Sequence, residues 1–183
     1  QAQSEHAQEL LDFISSRFSS PTLCGLLLGK AARAREKGVE LSFDPACRVD
    51  KPFLPLLESE LISIIGNLLD NAIEATQRAP LPHAPVDVLI KLNEQELIIE
   101  VADQGVGITP EIRDRIFERG ITTKTRGDHG IGLYLIESYV TQARGAIEVA
   151  DNTPRGAIFS LFIPATGTAR HPVQELEDTD YAT

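Results

Sequence analysis

Three short segments of the chain combine residue types that suit a nucleotide. The first is Asp103-Gln104-Gly105-Val106-Gly107, at the end of an apolar, alternating run. A carboxylate at a strand end can accept a hydrogen bond from an exocyclic amine, and glycines beside it let backbone approach a ligand closely. The second is the pair Asn67 and Asn71, spaced so that a helix would carry both on one face. Amide carbonyls are hard oxygen donors suited to Mg²⁺, which keeps most of its waters and bridges substrate phosphates. Asparagine is a mediocre helix former, so two of them among Leu68, Leu69, Ala72 and Ile73 ask for a reason. The third is Gly127-Asp128-His129-Gly130-Ile131-Gly132-Leu133, which opens a helical pattern. Free N–H groups and the positive dipole end at a helix N-terminus bind phosphate. Between the first and third segments, Lys124 in Thr122-Thr123-Lys124 offers a point charge to a phosphate.

Other phosphate-binding patterns fail on spacing. A dinucleotide fingerprint starting at Gly105 and Gly107 needs a third glycine where Pro110 stands. A Walker loop ending at Lys124-Thr125 needs glycines where Glu118 and Thr123 stand. The histidines His6, His83, His129 and His171 are scattered, with no zinc spacing. The net charge of −10 argues against a general nucleic-acid binder, which needs clustered Lys and Arg. Cys24 and Cys47 form no CxxC pair and read as reduced, buried small residues.

The elements that must position these residues are legible as periodicity. Residues 5–19 carry Leu10, Leu11, Ile14 and Phe18 at helical spacing. Pro21 suits the first turn of a second helix, which runs to about Lys37 and stops at Gly38. Val39, Leu41 and Phe43 alternate as a short strand. The strongest helical stripe runs from about Leu56 to Arg78 through Leu61, Ile64, Ile65, Leu68, Leu69, Ala72 and Ile73. Strands are expected over Val86–Leu92 and Leu97–Val101, joined by the loop Asn93-Glu94-Gln95-Glu96. Residues 108–129 hold one short helix after Thr109-Pro110 and read as a functional lid. A helix over about Gly130 to Ala143 follows, then a hairpin of Gly145–Val149 and Ala157–Ile163 around Asp151-Asn152-Thr153-Pro154. The tail 166–183 is polar and acidic, with the composition of a disordered segment. This order is not βαβ alternation. It predicts an α+β fold, with helices stacked on one face of a mixed sheet.

In this order the three segments form one site: adenine on Asp103, Mg²⁺ on Asn71, and phosphates under the lid against Gly130–Leu133. The order resembles the catalytic and ATP-binding domain of sensor histidine kinases, within the wider fold shared with gyrase, Hsp90 and MutL. Asn67-Leu-Leu-Asp-Asn71-Ala72 is similar to the N-box, and Asp103-Gln-Gly105-Val-Gly107 to the G1 box. Ile116-Phe117-Glu-Arg-Gly120 is similar to the F-box, Gly130-Ile131-Gly132-Leu133 to the G2 box, and Gly156–Pro164 to the closing strand. The resemblance covers about residues 22–165. It implies a Bergerat-type two-layer α/β sandwich with a mostly antiparallel sheet, binding ATP and Mg²⁺. Asn67, Asn71 and Lys124 are the implied catalytic residues, with Asn71 on the metal. Asp103, Gly105, Gly107, Ile108, Ile116, Phe117, Thr123, Lys124, Gly130, Ile131, Gly132 and Leu133 are implied to line the nucleotide with the two asparagines. Leu28-Gly29-Lys30, Glu36–Val39 and Gly120–Lys124 resemble the class that senses citrate and C4-dicarboxylates.

By the same resemblance, residues 1–20 are the end of the second dimerisation helix, and 21–165 are the catalytic domain. The implied partners are an acceptor histidine on a helix of the parent kinase, a response regulator, and a second copy of the parent. The chain begins with Gln and contains no Met, and it is expected to be a piece of a longer protein. That parent is expected to be an inner-membrane sensor with this part in the cytoplasm, touching neither membrane nor nucleic acid. His6 is followed by Ala7-Gln8 rather than by an acid or Asn, so the acceptor is expected elsewhere. Many histidine kinases carry Lys or Arg three residues after the second N-box asparagine. Here that residue is Glu74, which leaves Lys124 to meet the phosphate charge. Gyrase-type ATPases place a Glu four residues before the metal asparagine, where it activates water. Here Asn67 stands there, and an amide is a poor general base. A GHKL-fold ATPase, a Ser/Thr protein kinase and a non-catalytic nucleotide-binding scaffold are the alternatives to a histidine kinase.

Overall fold

The computed structural model describes residues 1–118 and 131–166, with no side-chain description of Ile131. Most of the expected lid, including Thr123, Lys124 and Gly130, and the tail from residue 167 lie outside the described residues.

Helix α1 spans Ala2–Arg17 and α2 spans Pro21–Glu36. Pro21 opens α2, and the Ser20 hydroxyl accepts the Leu23 N–H at 3.1 Å, satisfying one of the free first-turn donors. Gly38 ends the segment at φ +73°, a conformation that favours glycine. Strand β1 (Leu41–Phe43) leads to α3, Glu58–Arg78. At the start of α3 the Glu60 carboxylate accepts the Leu57 N–H at 3.0 Å. Two polar ties hold α2 alongside α3: Ser20 donates to Glu58, and Lys30 Nζ lies 2.8 Å from Asp70.

Strands β2 (Val86–Leu92) and β3 (Glu96–Ala102) form a hairpin. The short helix α4 (Pro110–Arg113), α5 (Ile131–Gln142) and the hairpin of β4 (Ala146–Asp151) and β5 (Ala157–Pro164) follow. The five strands lie in the order β1-β2-β3-β5-β4. Only β1 and β2 pair in parallel. The expected mixed, mostly antiparallel sheet is the one observed.

The register explains the layers. Ile90, Ile99, Leu161 and Ile147 stand in one row across β2, β3, β5 and β4, and Val88, Val101, Phe159 and Val149 in another. The members of both rows on β2, β3 and β5 are buried and share a core with Ile64, Ile65, Leu68 and Leu69 of α3. Ile14 and Phe18 belong to that same core, and Phe18 makes a parallel bridge with Val49. Arg48, next to Val49, in turn bridges Lys91 of β2, so the end of α1 is tied to the sheet through this segment. Leu69 has no exposed surface. Leu69→Ala is expected to lower unfolding stability by about 2–5 kcal/mol, read by urea titration, because the cavity adds to the lost transfer energy.

One boundary differs from expectation. The β2–β3 loop is three residues, Asn93–Gln95, and Glu96 belongs to β3. Asn93 Oδ1 accepts the N–H groups of Gln95 and Glu96, each at 2.8 Å, and so closes the turn one residue early. Cys24 and Cys47 are both free thiols, as expected; Cys47 is buried, whereas Cys24 is only half-buried. Among the described residues no helix is long and apolar enough to cross a membrane.

Candidate functional site

The site begins at the end of β3. Asp103 follows the last strand residue and is only 3% exposed. Its backbone N–H donates to Ala157 O at 2.9 Å, which continues the β3–β5 ladder and sets where the side chain points. Oδ1 accepts the Gly105 N–H at 2.8 Å and the Ala157 N–H at 3.4 Å. No hydrogen bond among the described residues engages Oδ2, so one carboxylate oxygen is left for a ligand donor. Burial pushes the Asp103 carboxyl above the ordinary carboxylate range, and the two backbone N–H groups offset part of that rise.

The loop after Asp103 lies on α3. Val106 N–H donates to Ala75 O at 3.2 Å. A Cβ built on Gly105 would stand 2.4 Å from the Ala75 carbonyl carbon and 2.7 Å from the Thr76 nitrogen. Glycine is required there because backbone meets backbone. Gly107 turns the chain at φ +75°. Gly105→Ala must lift the loop off α3. It is expected to lower stability by about 1–3 kcal/mol. Nucleotide affinity should fall with it, and calorimetric titration beside thermal unfolding reads both effects.

The stripe that buries α3 leaves Asn67 and Asn71 beside each other off the core, both half-buried. Asn67 Nδ2 donates to Ser63 O at 2.8 Å and lies 3.3 Å from Ser63 Oγ. That orientation turns Asn67 Oδ1 toward α5, where a Cβ on Gly132 would stand only 2.7 Å from it. The glycine-rich start of α5 and the first asparagine are thus in direct apposition. The Asn71 amide makes no hydrogen bond among the described residues, so its oxygen is available to a hard cation. This donor chemistry fits Mg²⁺, which the Asn71 amide oxygen would hold as a hard ligand.

Ile108 and Phe117 are half-buried against the core, and Ile116 is buried in it. They anchor the start of the expected lid. Leu133 is half-buried on α5. The structure therefore brings together Asp103, Gly105 and Gly107 with α3, and Asn67 with Gly132. Thr123, Lys124 and Gly130 lie outside the described residues, and of Ile131 only its place at the start of α5 is described. Sequence reading missed Ser63, Ala75 and Ala157. Ser63 left a signal, a hydroxyl one helical turn before Asn67 on the same face. Ala75 and Ala157 act through backbone and left none.

The chain is similar to known proteins. The sensor histidine kinase CitA of Klebsiella pneumoniae is 53% identical over 171 residues, which cover 93% of this chain and 31% of CitA. A probable C4-dicarboxylate sensor kinase of Halalkalibacterium halodurans is 34% identical over 164 residues, covering 87% of this chain and 30% of that protein. The chain thus spans about a third of the length of these relatives. Among solved structures, full-length ShkA in complex with AMPPNP superposes with a TM-score of 0.57 at 28% identity, over 76% of this chain and 29% of ShkA. Residues 57–167, more than half of the chain, match the model of the histidine kinase-, DNA gyrase B- and HSP90-like ATPase, and the chain belongs to that ATP-binding family.

Proposed function

We propose that this chain is the ATP-binding catalytic part of a sensor protein-histidine kinase. It passes the γ-phosphoryl of ATP to a histidine on a dimerisation helix of the parent. From there the group goes to an aspartate of a response regulator. Residues 1–20 end the second dimerisation helix, residues 21–165 form the catalytic domain, and the parent acts as a homodimer. In this reading the parent is an inner-membrane sensor of citrate or a C4-dicarboxylate, and this part works in the cytoplasm. The likeness to CitA and to the C4-dicarboxylate sensor kinase supports it.

The observation that carries the reaction class is Asn67. Its amide nitrogen is bound to Ser63 and its oxygen faces Gly132. An amide there can position a neighbour but cannot take a proton from water near neutral pH. A site without a general base at that point favours transfer to a protein side chain over hydrolysis.

The residues divide the work. Asp103 Oδ2 accepts the exocyclic amine of adenine, while Gly105 and Gly107 let the backbone close on the base. Ile108, Ile116 and Phe117 hold the segment that follows. The amide oxygen of Asn71 ligates Mg²⁺, with Asn67 in support. Held there, Mg²⁺ would supply positive charge to offset that of the phosphates. The backbone N–H groups at Ile131, Gly132 and Leu133, at the start of α5, suit the phosphates as a helix N-terminus does, and Gly130 joins them on sequence grounds. Thr123 and Lys124 enter this reading on sequence grounds. Catalysis is then chiefly positioning and electrostatics.

The test restores the upstream helix of the parent and supplies ATP labelled in its γ-phosphate. Protein label that is lost in acid and kept in base is expected. Phosphate release without labelled protein would make the chain an ATPase, and acid-stable label would make it a Ser/Thr kinase.

A further inference from the structure

We infer that Asn152 and Arg155, in the turn between β4 and β5, are positioning residues of the adenine site. This deepens the reading of Asp103 as the adenine acceptor and rests on it. The two residues hold successive carbonyls of the Asp103 loop. Asn152 Nδ2 donates to Asp103 O at 2.8 Å, and Arg155 Nε donates to Gln104 O at 3.1 Å. Arg155 Nη2 also reaches Pro80 O at 3.4 Å, just beyond the end of α3. One side chain therefore ties the turn to both the Asp103 loop and the helix that bears the asparagines.

The turn is shaped for this contact. Asn152 N–H donates to Gly156 O at 3.0 Å, and Asn152 Oδ1 accepts the Thr153 N–H at 2.8 Å. With Oδ1 so engaged, Nδ2 is turned toward Asp103. Gly156 sits at φ +103°, and a Cβ there would stand 2.0 Å from Asp103 O. The Asp103 carbonyl thus occupies a place kept free of side chain and lined by a donor. Fixing both peptides after the Asp103 Cα restricts the rotation that would swing Oδ2 away. A hydrogen bond to a carboxylate is worth most when the carboxylate's direction is set before the ligand arrives.

The experiment compares ATP with purine riboside triphosphate, which lacks the exocyclic amine and keeps the phosphates. Affinities are measured by calorimetry for the unaltered chain and for Asn152→Asp, Asn152→Ala, Arg155→Met, Arg155→Lys and Asp103→Asn. Asn152→Asp keeps the shape and loses the donor; Asn152→Ala loses it without adding charge. Both, and Arg155→Met, are expected to weaken ATP about five- to tenfold, the effect of a lost hydrogen bond, with the analogue unchanged. Arg155→Lys, which keeps a donor, recovers part of the loss. Equal losses for ATP and the analogue would make the turn merely structural and overturn the inference. So would unchanged ATP affinity in these variants when Asp103→Asn is impaired. If Asp103→Asn itself binds ATP normally, the adenine assignment fails first, and the inference with it.

Discussion

Asp103→Asn is expected to abolish useful ATP binding while leaving the protein folded and no less stable. Oδ1 is already engaged by the Gly105 N–H, so the substituted amide keeps its oxygen there. Its nitrogen then stands where Oδ2 stood and meets the exocyclic amine donor to donor. Losing a charge-assisted bond and leaving two buried donors opposed should weaken ATP by about 10²–10³-fold. Stability moves the other way. Burial raises the Asp103 carboxyl, so the folded state favours the protonated form. Relative to the unfolded chain, its contribution is most favourable below the ordinary carboxylate pKa and is lost as pH rises through the raised folded value. A neutral Asn escapes that loss, so the melting temperature at pH 7 should hold or rise. For the unaltered chain, ATP affinity should fall as acid protonates Asp103 and converts Oδ2 from acceptor to donor. Calorimetric titration between neutral and mildly acidic pH, beside thermal unfolding, checks both halves. Undiminished ATP affinity in the Asn variant would remove the adenine role from Asp103.

What made Asp103 readable was its place in an order, not its own pentapeptide. Asp-Gln-Gly-Val-Gly alone also suits a plain turn. The long α3 stripe from Leu61 to Ile73 was legible because its period is local, and every residue of it is buried or half-buried as a helix face requires. Ser20-Pro21 and Gly38 marked the ends of α2 for the same reason: caps act within a turn. The loop at Asn93 was misplaced by one residue because an Asn side chain can replace a backbone acceptor, and residue type alone does not say that it does. Contacts between segments far apart in the chain carried no sequence signal. Phe18 read as the last residue of a helical stripe, and its bridge to Val49 draws α1 onto the sheet. Asn152 read as a turn residue, yet its amide holds a carbonyl 49 residues away. Gly132 read as phosphate-binding glycine, and the structure adds a steric reason, the Asn67 oxygen at its back.

Asn71→Ala should separate nucleotide binding from phosphoryl transfer. Asn71 sits one helical turn beyond Asn67, half-buried, and its amide makes no hydrogen bond among the described residues. Removing it leaves no buried partner unsatisfied there, so the fold should tolerate the change with a small loss, of order 1 kcal/mol or less. Asp103 and its loop are untouched, and ATP affinity measured with Mg²⁺ chelated should stay the same. What disappears is the gain in affinity that Mg²⁺ brings. Transfer to the restored acceptor helix should fall by about 10²–10³-fold, because a bound metal supplies several kcal/mol of charge stabilisation in the transition state. Asn71→Asp keeps a hard oxygen at the same place and should recover part of the metal dependence. Glu74, one turn further on, is not expected to substitute, since it is engaged in an interaction of its own. If Asn71→Ala transfers phosphate with the original Mg²⁺ dependence, the metal is held by other residues, and the asparagine face of α3 positions the phosphates directly.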